Sequence, residues 1–154
     1  MKNSLDTLFD LKNKVIVITG ASGLLGEKHA EAVAAFGGTP VLLDLSKDKV
    51  DRLSSKLEKK YNISSVGFVV DITDEEQIIE NSASLIKLFG KVDGLINNAA
   101  KNPKVESNSV ENFSRLENFP LEEWNKDIAV GLTGAFLCAK HYGYEINNNP
   151  NGGS

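Results

Sequence analysis

The chain has 154 residues, 41% of them hydrophobic and 25% charged, with a formal net charge of −4. That suffices for one domain with a core and is too little for two of ordinary size. The acidic balance, with lysines scattered among acids, excludes a polyanion-binding face, so neither nucleic acid nor an anionic membrane surface is expected as a partner.

Cys138 is the single cysteine, which excludes an internal disulfide and fits a reducing compartment; its apolar neighbours predict a buried, inert thiol. Residues 1–11 hold one Lys and no apolar stretch, unlike a secretory signal. No apolar run nears the roughly 18 residues that cross a bilayer, and the expected location is the cytoplasm.

In chain order, residues 14–19, built on Val15-Ile16-Val17-Ile18, predict a strand buried on both faces of a parallel sheet. Residues 24–36 predict a helix stopped by Gly37-Gly38, and residues 40–45 a second strand carrying Asp44 near its end. Val50, Leu53 and Leu57, three and four apart, predict an amphipathic surface helix over 47–61. A third strand over 65–70 ends at Asp71. A third helix over 74–89 is expected to open on Thr73 as N-cap, with Glu76 three residues on, and to close at Gly90.

Residues 92–97 predict a fourth strand. The alternation of strands and helices predicts an α/β fold, a doubly wound parallel sheet of about four strands in a single domain over 1–154. A polar loop over about 101–120 follows. Then Leu121, Trp124, Ile128, Leu132, Ala135, Phe136 and Ala139 make an apolar stripe on a helix reaching about Ile146. Gly131 and Gly134 inside it predict close packing against another helix or a ligand. His29 and His141 read as ordinary helix residues, and no spacing suggests a metal site.

Between the first strand and first helix, residues 19–26 read T-G-A-S-G-L-L-G, with Gly20, Gly23 and Gly26 evenly spaced. Asp44 stands 18 residues beyond Gly26. A glycine turn opening a helix, with an acid about 20 residues on, is the dinucleotide-binding arrangement. Glycines admit the backbone to a pyrophosphate, and the helix N-terminus offers unpaired N–H groups and partial positive charge. Asp44 would accept hydrogen bonds from the adenosine ribose hydroxyls and repel a 2′-phosphate. No Arg lies near the turn after Asp44 and Lys47 is the only nearby cation, so NAD is expected over NADP. Asp71-Ile72 and Asn97-Asn98-Ala99-Ala100 close two further strands at the same end of the sheet. For Asn97 a bond to the backbone of a neighbouring strand is expected.

Together T-G-A-S-G-L-L-G, Asp44, V-D-I-T-D (70–74) and L-I-N-N-A-A (95–100) resemble the short-chain dehydrogenase/reductase family. W-N-K-D-I-A-V-G-L-T-G-A-F-L (124–137) resembles the helix after its fourth strand, and the likeness covers about 12–153. It implies a Rossmann-type fold and hydride transfer between a nicotinamide and an alcohol or carbonyl. It also implies cofactor-binding roles: Gly20, Ala21, Ser22, Gly23, Leu24 and Leu25 at the phosphates and ribose, Asp44 at the adenosine ribose, Asp71 and Ile72 at adenine. Asn98, Ala99 and Ala100 would lie along the nicotinamide-side ribose. The long helix implies a homo-oligomer in the complete protein.

Three departures qualify the likeness. The family's common pattern puts the middle glycine where Leu24 stands; the spacing here is similar to the extended branch of nucleotide-sugar epimerases and dehydratases. Gly131 occupies the position of the family's Asn, which with the long loop resembles a surface-glycan and flagellin-modification subgroup. The family's Ser and Tyr-x-x-x-Lys are missing: Tyr61, Tyr142 and Tyr144 are followed four residues on by Ser65, Ile146 and Asn148. The terminal N-G-G-S resembles the entrance to a fifth strand, cut off. The expected reading is the cofactor-binding half of an NAD-dependent oxidoreductase for a small, sugar-like alcohol or carbonyl, with no catalytic residue in this chain. An extended-branch epimerase or dehydratase and a non-catalytic NAD-binding module are the alternatives.

Overall fold

The computed structural model describes residues 9–101, 115–150 and 152–154. Four short apolar strands, β1 (Val15–Thr19), β2 (Thr39–Asp44), β3 (Val66–Val69) and β4 (Gly94–Ile96), form one parallel sheet in the order β3-β2-β1-β4. Val17 lies beside Val41 and Leu95, and Leu43 beside Phe68. Parallel neighbours need crossovers, supplied by α1 (Leu24–Ala35), α2 (Lys47–Tyr61) and α3 (Glu75–Phe89). After a 3-10 turn at Leu116–Asn118 comes one long helical run: α4 (Leu121–Ile128), a π-helical segment (Ala129–Gly134) and α5 (Ala135–Asn148). This is the expected doubly wound Rossmann-type sheet. Most of the loop expected over 101–120 lies outside the described residues.

Successive strand residues point to opposite faces, which divides the core in two. Val15, Val17, Val41 and Leu43 meet Ile78 and Leu85 of α3 and Cys138, Tyr142 and Ile146 of α5. Ile18 and Leu42 point the other way, against Ala30 and Val33 of α1 and Val50, Leu53 and Leu57 of α2. Both faces of β1 and of the middle of β2 are covered, so those runs are apolar throughout. Cys138 is buried as expected, and that burial pushes its thiol up to about 12. Tyr142, also fully buried, donates to Asn81 Oδ1 at 2.8 Å. Burial raises its hydroxyl well above the usual tyrosine range, with Cys138 adding to the shift.

One expectation is corrected. The N-cap of α3 is Asp74, not Thr73: its carboxylate accepts the N–H groups of Glu76 and Gln77 and the Gln77 side-chain amide. Those bonds hold Asp74 below the usual carboxylate range. Thr73 instead turns its hydroxyl onto Asp71 Oδ1 at 2.7 Å. The apolar stripe of the last helix lies mostly on its outer face. Leu121, Trp124, Leu132 and Phe136 are exposed, whereas Gly134, Leu137, Cys138, Tyr142 and Ile146 are buried. The inward face passes through a glycine, which a count of apolar side chains skips. A Cβ on Gly134 would fall 2.8 Å from the Ile72 side chain, so that glycine packs closely, on the turn after β3 and not on another helix; around Gly131 the space is open and the expected packing is absent.

The N-terminal ends of the strands are tied by Asp93, whose side chain is 1% exposed. It accepts the Val15 N–H at 2.9 Å, Asn149 Nδ2 at 2.9 Å, Lys14 Nζ at 3.1 Å and Lys91 Nζ at 2.8 Å. Burial pushes this carboxyl up, but its donors outweigh burial and hold it below the usual range. Alongside, Ser154 donates its N–H to the Asp93 carbonyl and accepts that of Leu95, the bonding pattern of a parallel ladder.

Asp93→Ala strands the Val15 N–H in a buried site and removes the bond that Asn149 donates to Asp93, while the partly exposed lysines turn to water. We expect a loss of about 2–4 kcal/mol in urea unfolding. Because the folded carboxyl is held low, its contribution is complete above the unfolded value of about 4 and is lost as pH falls through the folded one. The stability gap between wild type and Asp93→Asn should therefore close in acid. In the last helix, Gly134→Ala should cost about 1–3 kcal/mol by overpacking against Ile72. Gly131→Ala should stabilise by roughly 0.5–1 kcal/mol, since nothing opposes the new methyl; thermal unfolding separates the two.

Candidate functional site: a cleft across the strand ends

The sheet order reverses between β1 and β4, and at such a switch point the strand ends leave a crevice. Here a cleft of about 660 Å³ crosses the C-terminal ends of all four strands. The turn after β1 forms its floor. Gly20 has φ +61°, and a Cβ there would sit 2.9 Å from the Ala99 Cα; a Cβ on Gly26 would sit 2.2 Å from the Gly20 carbonyl. Two glycines thus let the turn lie on β4 and let α1 lie on the turn. The chain then locks this approach: Thr19 Oγ1 accepts the N–H groups of Asn98 and Ala99, each at 3.0 Å. Asn98 Nδ2 donates back to the carbonyls of Thr19 and Gly20 at 2.9 and 3.1 Å.

Gly23 is the N-cap of α1 and has no side chain to satisfy the first turn. The opening N–H groups of a helix have no intrahelical acceptor, so they remain available to an anion beside Leu24 and Leu25, both exposed. This uncapped terminus, laid open by glycine on the cleft, is what a pyrophosphate needs, and the residues present fit a dinucleotide.

Eleven of the twelve residues singled out from the sequence line the cleft: Gly20, Ser22, Gly23, Leu24 and Leu25 from the turn, Asp44, then Asp71 and Ile72, then Asn98, Ala99 and Ala100. Ala21 does not. It is fully buried under the turn in the α1–α2 core, its N–H on the Leu43 carbonyl at 3.0 Å. Asp44 ends β2 with its Oδ2 accepting the Ser22 N–H at 3.0 Å and the Ser22 hydroxyl at 2.6 Å, and its Oδ1 accepting the Leu45 N–H at 2.8 Å. Asn97 bonds the Ala135 carbonyl of the long helix, not a neighbouring strand.

The structure adds residues that the sequence reading passed over. Lys49 of α2 lines the cleft beside Asp44, whereas Lys47, the expected neighbour, pairs with Asp51 at 2.8 Å. At the other end Lys101 lines the cleft and pairs with Glu123 of α4, and Val130 of the π-helical segment closes the wall. Bonds from Lys101 and then Lys126 hold Glu123 below the usual carboxylate range. Lys101 directly follows N-N-A-A, which was a usable signal; Val130 and Lys49 reach the cleft only through helix geometry. Tyr142 is buried away from the cleft, and Tyr144 lies on a separate groove between α3 and α5. Among the described residues no group of three His, Cys, Asp or Glu could hold a metal, and no helix is long and apolar enough to cross a membrane.

Comparison with known proteins agrees with this geometry. The family model for short chain dehydrogenases matches residues 14–153. The chain is 31% identical over 141 residues to an NAD-dependent glycerol dehydrogenase of Listeria innocua, covering 92% of this chain and 50% of that protein. An NAD⁺-bound xylitol dehydrogenase superposes with TM-score 0.80 at 25% identity, over 93% of this chain and 51% of that one. An NADPH-dependent 3-quinuclidinone reductase from Rhodotorula rubra gives TM-score 0.78 at 28% identity, over 96% and 53%. The chain therefore spans about half the length of the relatives it matches. With the glycine turn, the strand-end acid and the N-N-A-A rim placed on one cleft, the chain belongs to the short-chain dehydrogenase family.

Proposed function

We propose that this chain is the cofactor-binding half of an NAD-dependent oxidoreductase that interconverts a small, polar, sugar-like alcohol and its carbonyl compound. One observation carries the reading: an uncapped helix N-terminus and a strand-end carboxylate, Asp44, open onto the same cleft. The first turn of α1, with Gly20, Ser22 and Gly23, would hold the pyrophosphate. Asp44 would accept from the adenosine ribose, Asp71 and Ile72 would flank adenine, and Ala99 and Ala100 would lie along the second ribose, with Asn98 fixing that rim. Ala21 serves from beneath by packing. The nicotinamide, when bound, supplies hydride acceptance or donation.

Relatives named for glycerol and xylitol support a polyol-like substrate. The carboxylate at Asp44 favours NAD over NADP. Of the chain's tyrosines, Tyr142 is fully buried and none has a Lys four residues on, so the proton-transfer group comes from outside these residues and the 154-residue chain alone turns over no alcohol. The exposed face of Leu121, Trp124, Leu132 and Phe136 fits a second copy in a homo-oligomer, and the setting is the cytoplasm.

Calorimetric titration of the chain with NAD⁺ should show saturable binding. Asp44→Ala, which removes charge-assisted hydrogen bonds, should weaken it by roughly ten- to a hundredfold. A variant that binds NAD⁺ as well as wild type would remove Asp44 from the site, and heat-silent mixing at millimolar NAD⁺ would remove the cleft. Net oxidation of glycerol or xylitol by the purified chain would contradict the missing proton-transfer group.

A further inference from the structure

The Lys101 end of the cleft carries a group that the reading above does not use. Asp127 stands in the last turn of α4, and its Oδ1 is buried without a hydrogen-bond partner. It is the one such side-chain atom among the described residues. Buried polar atoms are otherwise met in nearly every case, because one left unmet costs its full desolvation.

Helical spacing fixes which way Asp127 faces. Residues three and four apart share a helix face. Asp127 is four beyond Glu123, which bonds Lys101 of the cleft wall, and three before Val130, which closes that wall. The three residues therefore form one strip along the cleft. Gly131, one turn on, adds no side chain, and no neighbouring group stands within 4 Å of where its Cβ would be. The strip is open to approach from that side.

The charges along the strip do not balance. Glu123 takes Lys101 and also Lys126, and Lys126 is shared again with Glu122. Both cations are thereby used, and Asp127 has none of its own among the described residues. The surplus is negative and stands in a half-buried wall, where solvent screens it less than at an open surface. A phosphate or carboxylate is repelled there. A ligand with several neutral hydroxyls can donate one to Oδ1 while its C–H edges rest on Val130.

We propose that Asp127 is a specificity residue: it accepts a hydroxyl of an uncharged polyol substrate and turns anionic substrates away. Lys101, tied to Glu123, forms the fixed side of the same subsite. The inference rests on the cofactor reading of the cleft and narrows its substrate class to polyols without a phosphate or carboxylate.

The test is amide chemical-shift mapping of the full chain saturated with NAD⁺, titrated with sorbitol and, separately, with sorbitol 6-phosphate, which differ in charge alone at one end. Sorbitol should give saturable shifts at Lys101, Asp127 and Val130, and sorbitol 6-phosphate none there at the same concentrations. Asp127→Leu should weaken sorbitol about tenfold, the size of one hydrogen bond to a charged group. Asp127→Asn keeps an acceptor and drops the charge, so it should hold sorbitol within about threefold and admit sorbitol 6-phosphate. Urea unfolding separates this from a structural role: an unmet carboxylate predicts that Asp127→Leu is at least as stable as wild type. Loss of stability in Asp127→Leu together with an equal loss of NAD⁺ affinity overturns the assignment. So do equal shifts with sorbitol 6-phosphate, sorbitol shifts that Asp127→Leu leaves unchanged, or no sorbitol shifts with NAD⁺ bound; each leaves the cofactor cleft standing. A chain that does not bind NAD⁺ overturns the cleft itself and the subsite with it.

Discussion

The structure turns on the contact between the end of β1 and the end of β4. Gly20 lies so close to Ala99 that a single methyl would force them apart. Thr19 and Asn98 fasten that contact with four hydrogen bonds running both ways. Each partner is buried or half-buried, so its donors and acceptors must be met internally. Meeting them fixes where the glycine turn sits on the sheet and hence where α1 begins. The uncapped helix N-terminus, the floor of the cleft and the placing of the N-N-A-A rim all follow from this one fastening.

The two ends of the sheet then do different work. At the N-terminal end, Asp93 gathers β1, β4 and the end of α5 around one buried carboxylate, whose oxygens are taken up by Val15, Asn149, Lys14 and Lys91. At the C-terminal end, the backbone groups of the α1 N-terminus have no side-chain cap. An uncapped helix N-terminus on a cleft is a ready anion site. The contrast between a satisfied end and an open end is the physical argument for where function lies.

Much of this was legible in the sequence, because its signals are local. Apolar runs of four to six residues, capped turns and the glycine spacing placed every strand within a residue or two, and placed Asp44 at a strand end. What failed to show depends on three-dimensional neighbours. Ala21 belongs to the glycine motif by position, yet it is buried in the α1–α2 core while Gly20 and Ser22 on either side line the cleft. Asp74 outcompeted Thr73 as helix cap once Asp71 had captured the threonine hydroxyl. The long helix hides its buried face behind Gly134, and its most apolar stripe stays outside. Lys49 and the Lys101–Glu123 pair reach the cleft only because helices return them to it.

In the function proposed here, the uncapped N-terminus of α1 and the strand ends around it form one nucleotide site. The most direct measurement is amide chemical-shift mapping by nuclear magnetic resonance on the full chain during titration with NAD⁺. Saturable shifts are expected at Gly20, Gly23, Leu24 and Leu25, at Asp44 and Leu45, and at Asn98 to Lys101, with Asp93 and the groove between α3 and α5 unmoved. Shifts centred on that groove, or none at the glycine turn at saturating NAD⁺, would contradict it.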